Sequence, residues 1–244
     1  MENILFVKNL GKEGIIKNVN FSMECGEMTA IMGPSGSGKS TLLYNISGMD
    51  QADCGEVWVK DTELVGLSED QKAKFRLERM GFVFQQMNMI SNLNIIDNIM
   101  LPALHARKRE KAKMRKRAME LLAQFHIEEL AERKVTEVSG GQLQRACICR
   151  SMMLQPEILF ADEPTGALNQ SAAEEVMQAF LQLNRGGTSI LMVTHDSRVA
   201  SRCGRILYLL DGEIRGELKL GTFGDGEQKK REQKVLQWLN EMGW

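Results

Sequence analysis

Three short strand-like runs, Met28–Met32, Ile158–Ala161 and Thr188–Val193, lie far apart in a chain of 244 residues, and each breaks off into glycine or into polar and charged residues. Apolarity that is continuous rather than alternating predicts strands covered on both faces, as in a parallel sheet flanked by helices. The first part of the chain reads differently. Ile4–Val7, Ile15–Met23 and Glu56–Lys60 are strand patterns separated by glycine and asparagine turns. Residues 86–155 are mostly helical in period. Residues 156–218 return to the core and close with Arg205–Leu210, a hairpin turn at Asp211-Gly212, and Glu213–Leu218. In the tail from Glu227 to Trp244, the residues Val235, Trp238, Leu239 and Met242 share one helical face, expected to pack on its own domain. The pattern divides the chain into 1–84, 86–155 and 156–218, followed by an amphipathic tail, 219–244.

Composition adds bounds. Apolar residues make up 43% and charged residues 26%, with a net charge of −1, ordinary values for a globular protein. The balanced charge gives no global case for nucleic acid as a partner. No apolar run reaches the length of a membrane span and the N-terminus has no signal-peptide pattern, so a cytosolic chain is expected. The five cysteines, Cys25, Cys54, Cys147, Cys149 and Cys203, include no C-x-x-C pair and predict reduced thiols rather than a disulfide or zinc site. From Arg107 to Arg117 the chain is strongly basic, with Glu110 as its sole acid. A solvated helix face is the first reading; contact with anionic lipid headgroups is the second, and nucleic acid the third.

The candidate chemistry starts where the first buried run ends. Gly33-Pro34-Ser35-Gly36-Ser37-Gly38-Lys39-Ser40-Thr41 fits G-x-x-x-x-G-K-[ST], with a strand before it and a helical pattern, Ser40–Ile46, behind it. Glycines let successive N–H groups turn toward a phosphate, and the following helix N-terminus adds partial positive charge. Lys39 would reach the β- and γ-phosphates and Ser40 would ligate Mg²⁺. The second run delivers Asp162 and Glu163 at a strand end, where α/β sheets place ligands. Asp162 would hold the metal shell, and Glu163 would orient or deprotonate water. The third run ends in Thr194-His195-Asp196, which places His195 to bond a γ-phosphate and link it to the base. Between them, Val138-Ser139-Gly140-Gly141-Gln142 forms a second anion-binding helix start, with Ser139 as its N-cap. One chain cannot easily bring both helix starts to the same phosphate.

In this order and spacing the motifs resemble the ATP-binding subunit of an ABC transporter, over nearly the whole chain. The resemblance implies an α/β fold: a P-loop NTPase core with an antiparallel β-subdomain and an inserted α-helical subdomain. ATP and Mg²⁺ are implied, with Lys39, Gln85, Glu163 and His195 catalytic and with Ser40, Gln85 and Asp162 at the metal. Gln85 follows Gly81-Phe82-Val83-Phe84, where the family has its Q-loop glutamine. Two copies would pair head to tail when ATP is bound, so that Ser139, Gly140, Gly141 and Gln142 of one meet the nucleotide held by the other. The γ-phosphate would supply the contact that keeps the pair closed. A membrane permease would dock near Gln85–Ile90, leaving the chain cytoplasmic and peripheral on the inner face of the cell membrane. Gly-Pro-Ser-Gly-Ser-Gly-Lys, Phe-Val-Phe-Gln and Ala-Asp-Glu-Pro-Thr-Gly-Ala-Leu are similar to the macrolide-export and lipoprotein-release branch. The stretch from Val193 to Ile206 and the Trp238–Trp244 tail most resemble bacitracin and antimicrobial-peptide resistance transporters of Gram-positive bacteria. A force-transmitting or signalling subunit without net transport is the alternative; a soluble ATPase acting on ribosomes or DNA is a third reading. Two positions depart from the family. The stretch Asn9–Gly14 lacks the aromatic residue that usually stacks on adenine, and the D-loop carries Asn169 where aspartate is usual.

Overall fold

The structure is a computed structural model and describes residues 2–106, 110–224 and 226–244. Arg107–Arg109, the start of the basic run, lie outside the described residues.

Two sheets organise the chain. The six-stranded sheet has the order β10 (Glu213–Lys219), β9 (Arg205–Leu210), β3 (Met28–Met32), β8 (Ser189–Val193), β7 (Ile158–Asp162) and β6 (Met80–Phe84). All its pairings are parallel except that of β10 with β9, which the Asp211-Gly212 turn makes a hairpin. The predicted buried runs form three of its central strands, and every residue of β3, β7 and β8 is buried. Alternation of side chains across the sheet explains this continuous apolarity. Ala30, Met32, Leu159, Ala161, Ile190 and Met192 face one core, and Ile31, Ile158, Phe160, Leu191 and Val193 face the other. The second core is shared with α1 (Lys39–Ile46) and with an antiparallel sheet. That sheet has the order β2 (Ile16–Glu24), β1 (Asn3–Lys12), β4 (Cys54–Val59) and β5 (Thr62–Glu63).

Between β6 and β7 run α3 (Ile95–His105), α4 (Lys111–Gln124) and α5 (Gly140–Ser151), which bury apolar faces against one another. After β7 come α6 (Gln170–Arg185) and, past β8, the short α7 (Ser197–Ala200). The tail forms α8 (Gln228–Glu241). It buries Val235 and Leu239, sets Trp238 edge-on to Tyr208, and sends the Arg231 guanidinium to the carbonyls of Ser201 and Cys203 at 2.8 and 2.7 Å.

Two local readings change. The strand expected over Ile4–Val7 is longer: β1 continues through Lys12 with register shifts around Leu10, and Asn9 takes a left-handed φ of 50°. A helix was also missed, α2 (Glu69–Arg79). Its start is written in Ser68 and Gln71, which form a reciprocal capping box, the S-x-x-Q signature of a helix N-terminus.

Candidate active site

Register places the site. Ile31, Val193, Asp162 and Phe84 are cross-strand partners in one row on β3, β8, β7 and β6. The segments that leave this row carry Gly33–Thr41, His195, Glu163 and Gln85, so parallel pairing gathers four distant segments at one sheet edge.

In Gly33–Thr41, Gly36 and Gly38 take φ of +82° and +96°. A Cβ at Gly38 would also stand 2.9 Å from the Ile16 side chain, so glycine is required there for space as well as backbone. Helix α1 begins without any side-chain cap and without an acid in its first turn, which leaves its N–H groups and partial charge for an anion. Lys39 lies across the loop, its Nζ donating to the carbonyls of Gly33 and Pro34 at 2.7 and 2.8 Å. Burial pulls its pKa below the ordinary lysine value, while the nearby charges of Glu163 and Asp162 act in the opposite sense. The Ser37 hydroxyl is buried without a partner, an unfilled acceptor and donor inside the loop. Ser35 and Gly36 are exposed at its outer turn; Pro34 and Thr41 flank it.

Asp162 ends β7 and is buried. It accepts from Ser40 Oγ at 2.9 Å and from the Tyr44 hydroxyl at 2.7 Å. Burial, reinforced by the Asp162 hydrogen bond and charge, pushes the Tyr44 hydroxyl up to about 12, so it remains a proton donor at neutral pH. Glu163 follows in a left-handed conformation, φ 47°, which a residue with a side chain adopts only under local constraint. Its N–H donates to Val193 O at 3.0 Å, and its Oε1 lies 2.9 Å from Nδ1 of His195. The Glu163 side chain is 16% exposed against 64% for His195, so the carboxylate is sheltered and the imidazole faces out.

Ser139 and Gln142 are used on their own helix. Ser139 Oγ accepts from the Gln142 N–H, and Gln142 Oε1 accepts from the Ser139 N–H, a capping box that starts α5. Ser139 and Gly140 stand exposed. Gly141 has a packing reason as well: a Cβ there would lie 2.8 Å from that of Ala172 on α6. Asn169 is the N-cap of α6, its Oδ1 accepting from Ala172 N at 2.9 Å.

Gln85 is not joined to the Ser40–Asp162 pair by any hydrogen bond among the described residues. Its amide lies beside Gly166, where a Cβ would approach Nε2 to 3.0 Å. The backbone on both sides of it is held by α5. Gln144 Nε2 donates to Phe84 O at 3.1 Å, Cys147 Sγ to Met87 O at 3.1 Å, and Arg150 to Met87 O and Asn88 O at 3.0 and 2.7 Å. Burial raises the Cys147 thiol to about 11, so it donates as a neutral group. Sequence reading missed these three residues and Tyr44. The i, i+3, i+6 spacing of Gln144, Cys147 and Arg150 was a usable signal, since it puts polar groups on one helix face.

A glycine loop on a strand–helix turn, a serine–aspartate pair beside its lysine and a sheltered Glu–His pair at the same sheet edge define a P-loop nucleoside triphosphatase. Comparison narrows the class. A model of the family described as ABC transporter matches residues 16–166. The ABC transporter ATP-binding protein YxdL of Bacillus subtilis is 41% identical over 229 residues, 91% of this chain and 89% of its own length. An uncharacterized ABC transporter ATP-binding protein of Methanocaldococcus jannaschii, MJ0796, is 41% identical over 231 residues, 92% of this chain and 98% of that one. A dimeric post-hydrolysis structure of the MJ0796 cassette, bound to ADP and Pi, matches at a TM-score of 0.80 and 40% identity, covering 90% of this chain and all of its own. The macrolide export ATP-binding/permease protein MacB of Pasteurella multocida is 40% identical over 82% of this chain, which spans only 31% of that relative. The chain belongs to the ABC transporter family. It is an ATP-binding cassette that hydrolyses ATP.

Proposed function

We propose that this chain powers a separate membrane permease, two copies closing over ATP from the inner face of the cell membrane. The observation that carries the catalytic assignment is the 2.9 Å contact between Glu163 and His195 at the edge that also holds Lys39. Glu163 would orient the attacking water or accept its proton. The second ring nitrogen of His195 makes no hydrogen bond among the described residues, which leaves it for the γ-phosphate. Lys39 would exchange its two loop carbonyls for phosphate oxygens. The hard oxygen donors of Ser40 and Asp162, already side by side, fit Mg²⁺, which takes few protein ligands and uses phosphates for the rest. When bound, Mg²⁺ would neutralise charge on the β- and γ-phosphates. Gln85, beside Gly166, would link the nucleotide edge to the segment beyond it rather than start as a metal ligand.

The exposed Ser139–Gly140 start of α5 supports the paired arrangement, since it is open to a second molecule, and a similar cassette is dimeric. For the permease, an apolar groove of about 260 Å³ lies beside the Gln85 segment, lined by Met49, Leu77, Phe82, Phe84, Pro102 and Leu154 among others. Within Gln85–Ile90, where the resemblance places the permease, Ile90 is 46% exposed, whereas Met89 packs on the core, so the groove and Ile90 are the better seat. Residues 86–155 would move as the helical subdomain on the core formed by 1–84 and 156–218. No helix among the described residues is long and apolar enough to cross a membrane, in keeping with a peripheral subunit carried by its partner. Antimicrobial-peptide resistance of the bacitracin type is the substrate reading. It rests on the motifs from Val193 to Ile206 and on the tail.

The test is Glu163→Gln. Turnover should fall by about 10²–10⁴, the range for general-base catalysis, while ATP binding persists and ATP, but not ADP, drives dimerisation in light scattering. Hydrolysis at the parental rate would remove Glu163 as the base.

A further inference from the structure

The basic turn of α4 has no place in that mechanism. From Lys111 to Arg117, five of seven residues are lysine or arginine and none is acidic. The first turn of α4 contains no acid, and Glu110 at its N-cap makes no side-chain capping bond. Cations at a helix N-terminus oppose the helix dipole, so this charge works against the helix that carries it. The helix is held instead by Met114, Ala118, Leu121 and Leu122, buried against α3 and α5. A local conflict sustained by tertiary packing points to use of the conflicting residues.

Internal pairing does not consume the charge. Lys113 meets Glu110 at 3.6 Å with both side chains about 70% exposed or more, a pairing worth little in water. Arg115 and Arg117 pair with Glu132 and Glu120. Lys111 and Lys116 are exposed and have no ion pair among the described residues. Leu104, near the end of the α3 helix that packs against α4, is 44% exposed, two residues beyond the Pro102 that lines the apolar groove.

We infer that this corner, Leu104 with Lys111, Lys113 and Lys116, rests on anionic lipid headgroups beside the permease seat. The inference takes its orientation from the groove as that seat. Cations beside one exposed apolar side chain match a surface that offers negative headgroups and an acyl boundary together. No aromatic residue lies in Lys111–Arg117 to stack on bases, which favours lipid over nucleic acid.

The test is flotation of the intact chain, without any permease, on vesicles of phosphatidylcholine alone or mixed equally with phosphatidylglycerol. The chain should float with the mixed vesicles only, and lose binding at high salt. Each lysine removed should lower partitioning about fivefold, so Lys111→Glu/Lys113→Glu/Lys116→Glu should abolish flotation while ATPase activity stays at the parental level. Leu104→Ser should weaken binding less than the triple variant does. Equal flotation of the triple variant, equal binding to neutral vesicles, no flotation at all, or binding to duplex DNA in preference to vesicles would each overturn the assignment. Since no permease is present, failure of groove docking would leave these results unchanged.

Discussion

Helices α1 and α5 both begin at glycines next to a functional loop, yet their first turns are finished in opposite ways. At α1 no side chain caps the helix, and the unfilled N–H groups face the cradle of Gly33–Thr41. At α5, Ser139 and Gln142 cap each other and the turn is exposed. The first turn needs an anion to complete it; the second is complete in the folded chain. The difference fits the proposed pairing, in which one chain holds a nucleotide receptor and offers a lid to a second copy. Ser139 can offer its hydroxyl to a second molecule's phosphate without the helix depending on that contact.

The largest effect should come from spoiling the lid. In a Glu163→Gln background, Ser139→Arg should abolish the ATP-dependent dimer seen by light scattering. On its own it should lower turnover by about 10²–10³, the scale of a lost charge-stabilising donor. Fluorescent-nucleotide binding to the single copy should be unchanged. A dimer that survives Ser139→Arg would end the contrast drawn between the two turns. Next comes packing behind the lid. Gly141→Leu, forced against Ala172, should cost about 1–3 kcal/mol as an overpacking change, visible in urea unfolding. A neutral result would mean that α5 and α6 separate easily.

The candidate site was legible where local order encodes it. Gly33–Thr41, Asp162 and Glu163 each sit on a strand–loop junction whose sequence declares both the strand and its end. His195 was legible for the same reason, since Thr188–Val193 stops directly before it. Tyr44 and the Gln144, Cys147 and Arg150 contacts were hidden because their partners lie 60 or more residues away in sequence. Gln85 was found by motif, but its place against Gly166 depends on how the loop after β7 folds back. Helix α2 was legible in Ser68 and Gln71 and overlooked, because its face toward the core buries only Lys72 and shows no apolar stripe.

Asn169 sharpens the comparison further, as a third helix start that is capped by its own side chain. Asn169→Ala should destabilise the fold by about 1 kcal/mol through loss of the cap, whereas Asn169→Asp should keep stability, both read from thermal melts. If alanine is neutral, the 2.9 Å bond to Ala172 is not holding α6. The smallest effect concerns the base. Near the cradle the side chain set against Gly38 is aliphatic, Ile15, which is 41% exposed, and Phe6 lies away in β1 opposite Trp58. An aliphatic surface distinguishes purines poorly, so GTP should compete almost as well as ATP in displacement of a fluorescent analogue. A preference for ATP above roughly a hundredfold, about 2.7 kcal/mol, would reveal a residue that reads adenine.

Four bonds from three α5 side chains to the Phe84–Asn88 backbone tie the exposed Ser139 turn and the rim of the groove into one rocker. Under the proposed pairing, a push at the groove of one copy would tilt the surface offered to the other copy's nucleotide. If the proposed pairing holds, news from each permease half would cross to the opposite copy's nucleotide.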